Sequence, residues 1–193
     1  MSREIWKPGN MLYPVPAVMV TVGDKDVNNI ITIAWAGTVN SDPAMVSISV
    51  RKSRYSHELL MKYKEFVINL VTKRLTRAMD YCGVKSGRDI DKFKVMKLTR
   101  GNANKVKVPI IEESPVNIEC VVKQVISLGS HDMFLAEVVS VDVDDKYMDE
   151  KGSLNLEKAN LITYSHGKYY TLGENIGKFG YSVRKKVEKK HKK

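Results

Sequence analysis

The sequence predicts a mainly β chain, an antiparallel β-barrel with helical insertions, and three observations carry that prediction. Apolar and polar residues alternate over short runs, the period of a strand with one buried face. The runs are joined by brief turn-forming segments, which suit hairpins better than the helical crossovers of a parallel sheet. Six or seven strand candidates stand against two or three short helices, a balance that favours a barrel over a doubly wound sheet.

Residues 15–23, VPAVMVTVG, are apolar and β-branched and end in Gly23-Asp24, a turn signal. Residues 29–35, NIITIAW, follow a charged loop, so the two runs are expected to pair as a hairpin. AGTVNSDP breaks the pattern, and Pro43 opens a third strand, AMVSISVR. There Val46, Ile48 and Val50 share one face, and Ser47, Ser49 and Arg51 the other.

A helix is expected next, with Ser56 as its N-cap and Tyr55 packing on Leu60 across the cap as a hydrophobic staple. EFVINLV, residues 65–71, returns as a strand. Thr72 can cap a second helix, KRLTRAMDYCG, with Leu75, Met79 and Cys82 on one face and Gly83 as its stop. VKSGRDIDKFK reads as a loop with one helical turn. VNIECVVKQVIS and MFLAEVVSVDVDD, joined by LGSHD, form the clearest hairpin, and LITYSHGKYYTLG adds an extended segment.

Length and composition narrow the function. The 193 residues suit a single domain, and no uncharged apolar run reaches the roughly 18 residues of a membrane span. The start, MSREIWKPGN, has no signal-peptide pattern, and two cysteines make no disulfide framework or Cys-rich zinc site, so the expected location is cytoplasmic. Of the net charge of +10, the last ten residues, RKKVEKKHKK, contribute +6. The domain is expected to span residues 1–185, with 186–193 a basic tail. Such a tail is a solvated end or a nonspecific, salt-sensitive nucleic-acid contact, and nucleic-acid binding is the lesser expectation.

Standard chemical signatures fail. There is no GxGxxG, GxSxG or HExxH, and GENIGK is one residue short of a phosphate loop, with Phe179 where Ser or Thr should stand. The four histidines are scattered, so no metal site is assigned, and Cys82 on an apolar helix face reads as a buried structural thiol. What remains is SISVRKSRYSHELL, where strand hydroxyls, a guanidinium and a helix start could hold an anion. The bland reading is that Ser47 and Ser49 face water and the basic run is solvated.

Four segments taken together, NxxTxxW (29–35), VNSDP (39–43), SVRKSRYSHELL (49–60) and EFVIN (65–69), resemble the flavin reductase-like, FMN-binding split-barrel family. DKF (91–93) and HGKYYTLGENIGKFGYSVRK (166–185) resemble its flavoredoxin-type subgroup. The resemblance covers nearly the whole chain in order, and it implies a six-stranded antiparallel split barrel. It also implies a homodimer with noncovalent FMN near the interface. Carried over, Thr32, Ile33, Ala34 and Trp35 contact the isoalloxazine, and Thr38, Asn40 and Ser41 lie beside the ribityl chain or phosphate. Ser49, Val50, Arg51 and Ser56 hold the phosphate end, and Lys52 and Arg54 are left as surface charge. The SGRD loop (Ser86 to Asp89) and Lys92–Phe93 close the site around a flavin held by the other subunit, while His166 and Tyr169 flank the open flavin face.

Trp35 departs from the family pattern and either stacks near the flavin or plugs the barrel end, while Trp6, Tyr13 and the methionines read as packing. The implied activity is electron transfer from NAD(P)H or a reduced carrier protein, through FMN, to a flavin, ferric or protein acceptor. No side-chain acid or base is named as catalytic. Two alternatives stand beside it: a pyridoxamine-phosphate-oxidase-like FMN oxidase, and a basic nucleic-acid-binding module.

Overall fold

Short β-branched runs, each ended by glycine, proline or a charged turn, set the strands of this protein, for which a computed structural model describes residues 2–183. In chain order they are β1 (Val15–Pro16), β2 (Val18–Gly23), β3 (Asn28–Ile33), β4 (Ala36–Ser41), β5 (Ala44–Arg51), β6 (Glu65–Asn69), β7 (Arg100–Gly101), β8 (Ile110–Ile111), β9 (Val116–Ser127), β10 (His131–Val143), β11 (Ile162–Ser165) and β12 (Lys168–Thr171). The α-helices are α1 (Tyr55–Tyr63), α2 (Thr76–Val84) and α3 (Lys92–Met96). The expected tail, 186–193, lies outside the described residues.

The main sheet is antiparallel with strand order β3-β2-β6-β9-β10-β5-β4. It curls until β3, at one edge, packs against β5, beside the other edge. The barrel is therefore closed by packing and not by a continuous ladder, which makes it split. It has seven strands where six were expected. The difference is β4, whose sequence AGTVNS was read as a break. That strand pairs with β5 from Ala36↔Ile48 to Ser41↔Ala44, and nearly all its side chains are exposed. An edge strand facing solvent needs no apolar alternation, so its small polar residues conceal it.

The barrel interior is filled by Val20, Val22, Ile31, Ile33, Ile48, Val50, Phe66 and Phe134, with Leu59 and Leu60 of α1 inserted among them. A second cluster covers the outer face of β2 and β3, where Met19 and Ile30 meet Leu75, Met79 and Cys82 of the α2 region and Phe93 of α3. Burial on both faces leaves β2 apolar but for Thr21, whose buried Oγ1 accepts from Asn69 Nδ2 at 3.3 Å. A small sheet, β1-β11-β12, lies to one side.

Three local expectations are corrected. Helix α1 begins at Tyr55, with Arg54 in the N-cap position and no side-chain cap. Ser56 is instead buried inside the first turn, where its Oγ accepts from Asn29 Nδ2 at 2.8 Å. Satisfying the buried Asn29 amide outweighs capping, and Tyr55, itself helical, is no staple outside the cap. Thr72 precedes a 3₁₀ turn, Lys73–Leu75, and makes no side-chain cap. Gly83 does not end α2. A Cβ there would stand 3.1 Å from Thr32 Cβ, so the glycine lets the helix lie close against β3. Thr32 Oγ1 donates to the Met79 carbonyl across that contact.

Candidate functional site

The seam between β3 and β5 opens into a groove with two adjoining hollows at its centre, sharing Ile31, Arg51 and Arg54. The first, of about 420 Å³, lies where β5 runs into α1. Arg51 ends β5, Arg54 precedes α1, Lys85 follows α2 and Lys92 opens α3, so four elements deliver four cations to one cleft. Ser53, Ser56 and Ser86 add hydroxyls. The start of α1 also faces this cleft, and the absence of a side-chain cap leaves its positive end open to an anion.

Lys92 is the most informative of these residues. It is 4% exposed, and its Nζ donates to the carbonyls of Ile30 (2.6 Å) and Cys82 (2.8 Å). Burial pushes its ammonium down to about 8, opposed by the neighbouring Cys82 and reinforced by Arg54. A buried cation whose acceptors among the described residues are two neutral carbonyls is in want of a counter-charge. The Cys82 thiol is raised to about 11 by burial, against the pull of Lys92, so it is a neutral structural thiol at ordinary pH.

The second hollow, of about 190 Å³, is bounded by Thr32, Ile33, Ala34, Trp35, Ser49, Val50 and His131. Trp35 is 42% exposed and its ring lies 4.7 Å from that of His131, so it walls the groove and does not plug the barrel. His131 is opposite Arg51 in the β5–β10 register. Burial, then the Arg51 charge, holds its imidazole below the ordinary range, and Ser130 Oγ lies 2.9 Å from its Nδ1.

Ten of the fourteen expected binding residues line these two hollows: Thr32, Ile33, Ala34, Trp35, Ser49, Val50, Arg51, Ser56, Ser86 and Lys92. Thr38, Asn40 and Ser41 stand apart, exposed along β4, and Asn40 Nδ2 is spent on the Pro43 carbonyl at 2.8 Å. His166 sits in the β11–β12 turn with φ 47°, its ring 5.9 Å from Tyr13. Of the residues read as packing, Tyr13 does pack, on Tyr164 at 5.8 Å, whereas Trp6 is 69% exposed.

Several lining residues escaped the sequence. Arg54, read as surface charge, borders both hollows, because the helix begins earlier than the cap pattern implied. Lys52, read the same way, does point away, toward Ser127 Oγ (2.8 Å) and Asp132 (3.3 Å). Asn29, Ser53 and Lys85 enter only when β3, α1 and α2 are brought together. His131 is revealed only by its cross-strand pairing with Arg51.

An anion cleft joined to a narrow slot suits a planar ring on a phosphorylated chain. The chain is 32% identical over 166 residues to an uncharacterized protein of Pyrococcus abyssi, covering 86% of this chain and 95% of that one. Its structure is similar to the flavoredoxin of Desulfovibrio vulgaris (Miyazaki F), at TM-score 0.87 and 27% identity over 95% of this chain and 100% of that one. An FMN-binding protein from Thermus thermophilus, crystallised with cyclohexenone, superposes at TM-score 0.78 and 25% identity over 92% and 99% of the two chains. The flavin reductase like domain model matches residues 10–173, and the chain belongs to that family.

Proposed function

We propose that the groove holds FMN noncovalently and that the protein is an FMN-dependent oxidoreductase. Electrons would enter from NAD(P)H or a reduced carrier protein and leave to a flavin, ferric or protein acceptor. The observation that carries this reading is the polarity of the groove. Four cations and an uncapped helix start gather at one end, and a slot bounded by Thr32, Ile33, Ala34, Trp35, Val50 and His131 lies at the other. A phosphate monoester meets the want of counter-charge at Lys92, and the slot fits a flat ring. The likeness to a protein described as FMN-binding supports the choice of FMN among flavins.

In this reading Arg51, Arg54, Lys85 and Lys92 hold the phosphate, with the start of α1 and the Ser53 and Ser86 hydroxyls. Thr32, Ile33, Ala34 and Trp35 bound the ring, and His131 presses on Trp35 to fix the indole. FMN, when bound, supplies the two-electron redox chemistry, and the protein supplies position and electrostatics. The packed walls of Val50, Ile31 and Ile33 exclude water from one side of the slot. Thr38, Asn40, Ser41 and His166 line neither hollow of this chain and are left out of this set.

A homodimer is part of the proposal. Ile5, Trp6 and Leu12 on the N-terminal arm, and Leu172, Ile176, Phe179 and Val183 on the C-terminal arm, are all strongly exposed. Apolar exposure on that scale marks an interaction surface, and a second copy is the partner proposed.

The test is direct. The purified protein should carry a flavin absorbance that denaturation releases as FMN. Anaerobic mixing with NADH, NADPH or a reduced ferredoxin in parallel should bleach it rapidly with one donor class. A colourless protein that cannot be loaded with FMN would sink the proposal.

A further inference from the structure

The outer face of β9 carries a polar patch, none of whose residues lines the groove. Ile118 and Cys120 point into the barrel, so Asn117 and Glu119, which alternate with them, point out. Across the ladder Asp142 of β10 stands opposite Asn117, on the same outer face. The segment between β7 and β8 roofs the patch, with Val106 and Val108 packed on Val67 of β6. Asn104 ties that roof to both strands. Its N–H donates to Glu119 Oε1 at 2.7 Å, and its Nδ2 donates to Asp142 Oδ1.

Two buried oxygens in this patch find no donor. Asn117 is 5% exposed, yet its Oδ1 has no hydrogen-bond partner among the described residues, and Asp142 Oδ2 is in the same condition. Asn69, opposite Asn117 on β6, does not answer it. Its Nδ2 is turned to the Met19 and Val67 carbonyls and to Thr21 Oγ1, and its Oδ1 accepts from the Ile111 N–H. Glu119 Oε2 accepts from Lys105 and Val106, but Oε1 accepts from Asn104 alone and keeps a lone pair. Asp142 also lies within hydrogen-bonding reach of Glu119. Two carboxylates at that range repel, and a proton or a cation must join them. No lysine or arginine does so, since the ion pairs among the described residues include neither carboxyl.

We propose that Asn117 Oδ1, Asp142 Oδ2 and Glu119 Oε1 bind a hard divalent cation of the calcium class, which takes the place of the shared proton. All three ligands are oxygens, from two carboxyls and one amide, a set that suits calcium and not the softer zinc or copper. Calcium accepts an irregular arrangement and completes its shell with water, whereas magnesium demands a near-ideal octahedron. The half-buried Asp142 and the exposed Asn104 leave a path from solvent. The bound ion fastens β9 to β10 and, through Glu119, to the roofing segment. The set carries no sequence signature, because its members meet only through the β9–β10 ladder.

The test is calorimetric titration of the full chain with CaCl2, after EDTA has been used and dialysed away. Calcium should bind saturably, one ion per chain, with a Kd on the order of 10⁻⁴ M, as for sites with few charged ligands. Roughly 10 mM CaCl2 should raise the unfolding midpoint in urea above that in NaCl of equal ionic strength. Asp142→Asn keeps the side chain's shape, and its amide can donate to Glu119 where the proton stood. It should therefore fold and bind calcium at least about tenfold more weakly. Asn117→Leu, which removes the orphaned oxygen at nearly constant volume, should act in the same direction. No saturable binding of calcium, or binding unaltered in both variants, would overturn the proposal. So would an equal rise of the urea midpoint in wild type and Asp142→Asn.

Discussion

Raising the pH from about 7 to about 9 should weaken FMN binding through Lys92 alone. In the free cleft burial holds its ammonium near about 8, and a phosphate seated against it should return it toward the ordinary 10.5. Binding then takes up a proton at any pH between those values. With about 8 in the free protein and about 10.5 in the complex, affinity falls about tenfold between pH 7 and pH 9, or about 1.4 kcal/mol. The phosphate is already largely dianionic over that range, and the Cys82 thiol, at about 11, stays protonated. Fluorescence titration of flavin-free protein at a series of pH values measures the slope. Riboflavin, which lacks the phosphate, should show none, and Lys92→Met should lower FMN affinity at pH 7 and flatten the profile. A wild-type affinity constant from pH 7 to 9, or a Lys92→Met profile with the same slope, would refute the reasoning.

The same lysine makes flavin-free protein more stable as pH rises. The folded protein sheds the proton near 8 while the unfolded chain keeps it to about 10.5, so the unfolding midpoint in denaturant should increase across that window. Arg54→Ala and Arg51→Ala should each weaken FMN retention by about 1.5–3 kcal/mol, and Lys52→Ala, which breaks only the contacts to Asp132 and Ser127, should leave it unchanged. Equal effects of Arg54→Ala and Lys52→Ala in a dissociation assay would return Arg54 to the solvated surface. Glu119→Ala should lower stability by about 3 kcal/mol, because the fully buried carboxylate accepts the N–H groups of Asn104 (2.7 Å), Lys105 (2.6 Å) and Val106 (3.1 Å). Burial alone would raise that carboxyl. The N–H groups of Asn104 and Lys105, the neighbouring Asp142, which is itself raised and shares a proton with it, and the Val106 N–H outweigh burial and hold it below the ordinary 4.5. Its stabilisation is therefore complete above that value and lost as pH falls through the lower folded one, which acid unfolding of wild type and variant would compare.

Much of this protein was legible in its sequence because the signals are local. Short apolar, β-branched runs between turn signals located β2, β3, β9 and β10, alternation located β5, and the apolar spacing of Leu75, Met79 and Cys82 gave the buried side of the α2 region. β4 was missed because an exposed edge strand carries no apolar period. The start of α1 was misplaced because Ser56 is the kind of residue that caps a helix, yet here its hydroxyl answers Asn29 of β3, 27 residues earlier in the chain.

The sequence by itself determined the family, the barrel, and the polar face of Ser47, Ser49 and Arg51, since each depends on neighbours along one element. Only the tertiary structure decided what that face meets. Arg54, Lys85, Lys92 and His131 are brought beside it by α1, α2, α3 and β10, and the arm at Met11 and Tyr13 lies beside its other end at Ser47 and Ser49. A hydroxyl's partner and a buried lysine's depressed pKa both arise from residues distant in the chain, and no periodicity records them.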